Sequence, residues 1–162
     1  MNSARELVEQ YGKKILESED FRRGYGQVHH GNTSVAQHSL DVAQAAVLLC
    51  RKFQERGYQP DERTVVIGAL CHDLGILGRH EKYSNFVECC FRHPLDSVKT
   101  ARKIFPDLDD KTAKAISRHM FPMTILPPTS LEGAIVSLAD KYVSIKSLSH
   151  QKTRSGITDI SV

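Results

Sequence analysis

The most informative segment of this chain is GALCHDLG, residues 68–75. Asp61 can cap a helix that ends in this segment, where Gly75 would supply a left-handed stop. The interior of that helix is apolar, so the two polar residues of its last turn, His72 and Asp73, are expected near the core. A buried carboxylate without a partner is energetically expensive. By itself the doublet is a weak signal, since such dipeptides recur by chance, but a carboxylate buried here would need a cation or several hydrogen-bond donors as partners.

Helical spacing of apolar residues predicts further helices on both sides of this segment. Their predicted ranges are 3–17, 34–56, 85–91, 94–105, 109–120 and 131–148. Residues 18–32 are polar and carry glycine, which favours a surface loop. Since no alternating strand pattern appears, we predict an all-α fold: a single-domain bundle of about six to seven helices over residues 1–150. Residues 151–162 are predicted to be a polar C-terminal tail.

Two local patterns set the boundaries of the later helices. Pro94 favours the first turn of a helix, which would place Leu95 inward. Thr129-Ser130-Leu131-Glu132 matches a capping box and predicts the start of the last helix. The buried stripe of that helix is predicted to contain Leu131, Ile135, Leu138, Tyr142 and Ile145.

Composition narrows the range of partners. The chain has 162 residues, of which 40% are hydrophobic, enough for one domain with a core. Its net charge of +3 is too small to indicate a nucleic-acid binder. No segment approaches the roughly 18–20 apolar residues of a membrane span. The four cysteines form no C-x-x-C pair, and the N-terminus has no apolar signal segment, so we expect a cytoplasmic protein.

Two more polar residues interrupt apolar helix faces. His38 lies on the same face as Val35 and Val42, and Asp140 follows the largely apolar run 133–139. Taken alone, each has a simpler explanation, since His38 fits a core imidazole bonded to a backbone carbonyl and Asp140 fits a solvated charge. Together with the His-Asp doublet they put four metal-ligand types on three helices. One divalent cation would satisfy all of them.

This combined pattern resembles the HD superfamily of metal-dependent phosphohydrolases. GALCHDLG is similar to the signature of that superfamily, and the contexts of His38 (SVAQHSLDVA, residues 34–43) and Asp140 (ADK, residues 139–141) match in type and order. The resemblance implies an HD-type helical domain in which His38, His72, Asp73 and Asp140 bind a metal. It also implies that Asp73 is central to catalysis.

Two further histidines fall between the doublet and Asp140, where HD proteins with two metals carry extra ligands. These are His93 and His119, and with them the resemblance implies a two-metal centre bridged by Asp73. The alternative is that His93 is a helix cap and His119 a surface residue. Imidazole and carboxylate without thiolate favour Fe, Mn, Zn, Ni or Co over Mg²⁺ or Ca²⁺. We therefore expect one or two divalent transition-metal ions.

The expected function is hydrolysis of a phosphate ester or pyrophosphate in a nucleotide-like substrate by a metal-activated water. Some small bacterial HD proteins are similar to dinucleotide polyphosphate hydrolases. Arg79, Lys141 and His30 are candidates for binding the phosphorylated small molecule, although each could equally be a solvated surface residue. The alternatives are a non-catalytic HD module that binds a metal or nucleotide, and a metal that only stabilises the fold. A homodimer is also possible.

Overall fold

The protein is described by a computed structural model over residues 2–155, without the side chains of His30 and of residues 150–155. Within these residues it forms eight α-helices and one short hairpin, so the all-α prediction is confirmed with slightly more helices than expected. The helices are α1 (Ala4–Leu16), α2 (Glu19–Arg23), α3 (Val35–Gln54), α4 (Glu62–Cys71), α5 (Arg79–Lys82), α6 (Phe86–Ile104), α7 (Asp110–Ser117) and α8 (Leu131–Ser155). The antiparallel strands are β1 (Val28–His30) and β2 (Thr33–Ser34). None of the described helices combines the length and the apolar character needed to cross a membrane.

The helix α4 lies at the centre of the bundle. Every residue from Thr64 to Cys71 is buried, and α4 packs against α1, α3, α7 and α8. As predicted, Asp61 caps it, with Oδ1 accepting a hydrogen bond from the backbone N–H of Arg63 at 3.0 Å. Because α4 is surrounded on all sides, its C-terminal end delivers the His-Asp doublet into the interior of the bundle.

The role predicted for Gly75 is wrong, although the position does require glycine. Its φ is not positive; Gly78 is the glycine of this segment with a left-handed backbone, at φ 71°. Gly75 lies in a 3-10 turn, Leu74–Ile76, pressed against α6. A Cβ at this position would overlap backbone atoms of His93 and Ser97. The residue is therefore small because two segments approach closely, and the close contact fixes α6 beside the doublet.

The two helices predicted at 85–91 and 94–105 form one continuous helix, α6, with Pro94 in its interior. Asn85 caps it, accepting a hydrogen bond from the backbone N–H of Glu88 at 2.9 Å. The prediction for Leu95 is wrong, because this side chain is 57% exposed. In the continuous helix the inward face is set by positions three, four and seven apart. The buried residues of that face are Cys90, His93, Pro94, Ser97 and Ala101.

Residues 18–32 are predicted to be a surface loop, but they contain the helix α2 and the strand β1. Ser18 caps α2 by accepting a hydrogen bond from the backbone N–H of Phe21 at 3.2 Å, and the Phe21 ring is buried in the core. The β1–β2 hairpin follows and leads directly into α3, which Ser34 caps. The hairpin carries His29 towards the end of α4.

The start of α8 differs from the predicted capping box. Ser130 caps the helix by accepting a hydrogen bond from the backbone N–H of Gly133 at 3.1 Å. The Glu132 carboxylate instead accepts hydrogen bonds from the backbone N–H of Asp61 at 3.0 Å and from Lys111 Nζ at 3.1 Å. Glu132 therefore connects three helices rather than closing the first turn of its own.

The buried stripe predicted for α8 is also wrong in its main part. Leu138, Tyr142 and Ile145 are 55%, 60% and 69% exposed, respectively. They lie roughly 140–160° around the helix from Asp140, which faces the bundle. The helix is oriented by the face that carries Val136 and Asp140, both of which are buried, so the larger apolar residues are left outside. Since α8 continues to Ser155 and residues 156–162 lie outside the described part, the boundary at 150/151 stays a prediction.

Candidate metal centre

The two carboxylate oxygens of Asp73 face two different groups of histidines. Asp73 Oδ2 lies 3.2 Å from His72 Nε2 and 3.8 Å from His38 Nε2. Asp73 Oδ1 lies 3.2 Å from His93 Nε2 and 3.6 Å from His119 Nε2. The carboxylate is 3% exposed. Asp73 is thus positioned to connect two adjacent groups of potential metal ligands.

Asp140 completes the first of these groups. Its Oδ1 lies 3.1 Å from His38 Nε2 and 3.6 Å from His72 Nε2. We call the group of His38, His72, Asp140 and Asp73 Oδ2 site A, and the group of His93, His119 and Asp73 Oδ1 site B. The structure therefore brings together all six side chains that the sequence predicts as metal ligands.

Three of the imidazole rings are oriented by hydrogen bonds to the helix that carries or directly precedes them. Nδ1 of His72, His93 and His119 each lies 2.7 Å from a backbone carbonyl oxygen three or four residues earlier in the chain. If each Nδ1 carries the proton and donates it to that carbonyl, the Nε2 lone pair is directed at Asp73. Such hydrogen bonds are the usual way in which a protein fixes the tautomer of a metal-binding histidine.

The donor atoms fit a divalent metal ion. His93 Nε2 and His119 Nε2 lie 3.2 Å apart, which brings two potential lone pairs face to face. The buried His72 Nε2 has no hydrogen-bond partner among the described residues. Ligand atoms at about 2.0–2.2 Å from one ion are separated by roughly 3.0–3.5 Å when they are neighbours. Most separations around Asp73 and Asp140 are close to this range, so cations would satisfy these atoms together.

Electrostatics keep both carboxylates ionised. Burial alone would raise the pKa of Asp73, but the charges of His72 and His29 hold that pKa well below its usual value. Burial has the same effect on Asp140, and His38 and His72 hold the pKa of Asp140 well below normal. Burial lowers the pKa of His119 to about 3, so this ring is neutral. Asp73, Asp140 and the neutral His119 can therefore donate electron pairs. Burial disfavours the charged form of His72, but Asp73 and Asp140 raise the pKa of this ring well above its usual value, so a metal ion would have to displace its proton.

His29 is a site residue that sequence reasoning missed. Its ring is buried, with Nε2 3.2 Å from Asp73 Oδ2, and it packs on His38 with the ring centroids 4.4 Å apart. The sequence predicts a surface loop for this segment, and it suggests the neighbouring His30 as a substrate-binding residue. The His30 side chain lies outside the described residues, so its predicted role in substrate binding is untested. The adjacent histidine pair was the only available signal for His29.

Comparison with known families agrees with this geometry. A family model for the HD domain matches residues 35–145, which include the six predicted ligands. The chain belongs to the HD domain family. The predicted resemblance is thereby confirmed, and HD domains are generally metal-dependent hydrolases. Searches of curated proteins and of solved structures gave no match.

A cavity of about 710 Å³ opens onto the candidate metal centre of this HD domain. Asp73, Asp140, His29, His93 and His119 contribute to its floor. Its wall contains cationic or titratable side chains and a group of apolar ones. These wall residues include Arg79, His80, Lys141, Phe86, Met120, Met123 and Leu148. A ligand in this cavity would contact the candidate ligands and both kinds of wall.

The two cations predicted to bind substrate both line the cavity, and each also has a structural contact. The Arg79 guanidinium donates hydrogen bonds to the backbone carbonyls of Val28 and His29 at 3.3–3.5 Å. Lys141 Nζ donates to the His119 carbonyl at 2.6 Å. Burial lowers the pKa of Lys141, although Asp140 opposes this effect.

The sequence does not predict the apolar wall of the cavity, because residues 76–92 and 120–128 have no clear periodicity.

Proposed function

We propose that this HD domain is a metal-dependent phosphohydrolase that cleaves a phosphate ester or pyrophosphate bond of a nucleotide-like substrate. The observation that carries the proposal is the position of Asp73, whose two oxygens each face a separate group of histidine Nε2 atoms. Divalent ions held there would supply an activated water and a Lewis acid for the phosphoryl group. The chain itself contributes the fixed, desolvated ligand set.

The composition of the ligand set supports a transition metal. Imidazole and carboxylate without thiolate suit Fe, Mn, Zn, Ni or Co better than Mg²⁺ or Ca²⁺. The nearby cysteine does not change this preference. Burial raises the pKa of the Cys71 thiol far above neutrality, so the thiolate form of a metal ligand is disfavoured there.

The cavity supports a substrate that is anionic at one end and apolar or aromatic at the other. Arg79 and Lys141 are positioned to contact phosphate oxygens beyond the metal centre. Phe86 and Met123 are largely exposed, at 70% and 56%, and offer an apolar surface to a planar group such as a nucleobase. The volume falls within the roughly 300–1,000 Å³ typical of small-molecule sites.

The test pairs two aspartate variants. Asp41 is exposed one turn from His38 and accepts a hydrogen bond from Gln37 Nε2 at 2.9 Å, so Asp41→Asn is the matched control for Asp73→Asn. Protein purified without chelator is analysed for metal and then assayed against mononucleotides, dinucleotides and phosphomonoesters. We expect turnover in the wild type and in Asp41→Asn, and a loss of at least about 1,000-fold in Asp73→Asn with the helical fold intact.

The same measurements separate the alternatives. Tight metal and nucleotide binding without turnover of any ester or anhydride would contradict the proposal and favour a regulatory module. Unfolding on metal removal, again without turnover, would favour a metal that only stabilises the fold. Equal rates in Asp73→Asn and Asp41→Asn would refute the role proposed for Asp73.

We further propose a cytoplasmic location. The four cysteines form no disulfide in the structure, which supports a reducing compartment. The homodimer stays a prediction. The exposed apolar row Leu138, Tyr142 and Ile145 on α8 supports self-association, since such surfaces often mark protein contacts. Light scattering coupled to size-exclusion chromatography tests it.

A further inference from the structure

His29 reaches the metal centre from a segment that the HD family match does not include. The match begins at residue 35, whereas His29 lies on β1. One potential ligand atom from each of His29, His38 and Asp73 lies within 4.8 Å of the others. His29 is buried and directs Nε2 at the same oxygen of Asp73, Oδ2, that faces site A. Its position is therefore comparable with that of the predicted ligands.

The hairpin that carries His29 is fastened to the segment that follows the His-Asp doublet. Gln27 Nε2 donates a hydrogen bond to the Ile76 carbonyl at 2.9 Å, and Gln27 Oε1 accepts one from the backbone N–H of Gly78 at 2.7 Å. Arg79 adds hydrogen bonds to the backbone carbonyl of His29 itself. These contacts tie β1 to residues 76–79, so the position of the His29 ring is set relative to Asp73.

We propose that His29 is a fifth protein ligand of site A, which makes the two metal sites unequal. Site A would then hold its ion with His29, His38, His72, Asp73 Oδ2 and Asp140 Oδ1, whereas site B offers only His93, His119 and Asp73 Oδ1. This inference rests on the proposed metal centre. For an ion that accepts about six ligands, site A keeps one exchangeable position and site B keeps three. Water and the substrate phosphate would therefore bind mainly at site B.

The shape of the cavity supports this asymmetry independently. All three residues of site B, Asp73, His93 and His119, line the cavity. Of the five proposed ligands of site A, His29, Asp73 and Asp140 also line the cavity, whereas His38 and His72 are not among its described lining residues. The site with fewer protein ligands is thus the more accessible one, as a substrate-binding ion requires.

The experiment isolates site A in a His93→Gln background, which disables site B. Metal-free protein is titrated with Co²⁺ against a chelating dye, and the visible spectrum of the bound ion is recorded. We expect His29→Gln in this background to weaken the remaining site by roughly tenfold or more and to change its spectrum. The matched control is His80→Gln, because His80 is an exposed histidine of the cavity wall that lies outside both sites. It should leave affinity and spectrum unchanged.

An unchanged Co²⁺ affinity and spectrum in His29→Gln, in the His93→Gln background, would overturn the proposal. A fall in turnover alone would do the same, because it would place His29 on the substrate rather than on the metal. The phosphohydrolase proposal would survive either result, whereas it would fail if the wild type bound no ion. Circular dichroism of the metal-free variants checks the fold. If His29→Gln does not fold, Gln27→Ala decides, since releasing the hairpin should also weaken site A and unchanged affinity would refute the inference.

Discussion

Replacing Gly75 with alanine tests how the close contact with α6 supports the metal centre. A methyl group at this position would overlap the carbonyl oxygen of His93 and the backbone nitrogen of Ser97. Both are backbone atoms of one helix, so neither can rotate away as a flexible side chain would. Either the 3-10 turn or α6 must move. A shift of α6 would move His93 relative to Asp73.

The cost has two parts. Overpacking a tight contact costs about 1–3 kcal/mol. Displacement would also weaken the hydrogen bond that the backbone N–H of Gly75 donates to Ser97 Oγ at 2.8 Å, which is worth about 0.5–1.5 kcal/mol. We therefore expect the free energy of unfolding to fall by roughly 2–4 kcal/mol, which lowers Tm by roughly 5–15 °C for a domain of this size. Metal binding at site B should weaken as well.

Calorimetry of the metal-free protein measures the first effect, and metal analysis after dialysis measures the second. Gly26→Ala is the control, since a Cβ at Gly26 would meet no atom within 4 Å and its φ is not positive. This variant should change Tm by at most a few degrees and retain all its metal. If Gly75→Ala were as stable as Gly26→Ala and bound as much metal, the contact with α6 would not position the centre.

Three further outcomes are expected. Glu132→Gln should lower the free energy of unfolding by roughly 1 kcal/mol at neutral pH. Burial alone would raise the pKa of Glu132, but its hydrogen bonds lower that pKa. The stabilisation is therefore present above about pH 4.3 and is lost as the pH falls through the folded-state pKa. Denaturation at pH 7 and at pH 3 measures the free energy of unfolding of both proteins and tests this difference. In the folded protein, mass spectrometry should show Cys71 unmodified by a thiol reagent while the partly exposed Cys89 reacts slowly, because burial raises the pKa of both thiols and Cys71 alone is fully buried. Met123→Ala should raise KM several-fold for a nucleotide but leave KM for a small phosphomonoester unchanged, since only the nucleotide reaches the apolar wall; equal effects on both substrates would argue against that wall.

The parts of the fold that sequence predicts well are those with a local cause. Asp61 caps its helix as expected, because a side-chain oxygen before an apolar periodic run is a local signal. The positions of His38 and Asp140 follow from interrupted apolar faces. Their convergence on Asp73 is not visible in helix periodicity, and it was inferred from the order of the motifs.

The errors share a dependence on tertiary contacts. A strand of three residues has no measurable period, so His29 was hidden in a segment that resembles a loop. Pro94 is typical of a helix start, yet the packing of α6 against the rest of the protein accommodates it in the interior. On α8 the apolar spacing predicts burial of the largest apolar residues, which the structure leaves exposed. The helix instead turns inward the face that carries Asp140. The side chains of this face are smaller, but they lie against the candidate metal centre.

The central position of α4 separates the part of this protein that can vary from the part that cannot. The doublet directly follows a helix with no exposed residue between Thr64 and Cys71, so nearly any substitution in that helix disturbs the packing of several neighbours. The apolar wall of the cavity comes from segments around residues 83–90 and 120–123 that lie at the periphery. Descendants of this chain could therefore exchange one preferred molecule for another through peripheral changes alone, while the reactive machinery is inherited unaltered.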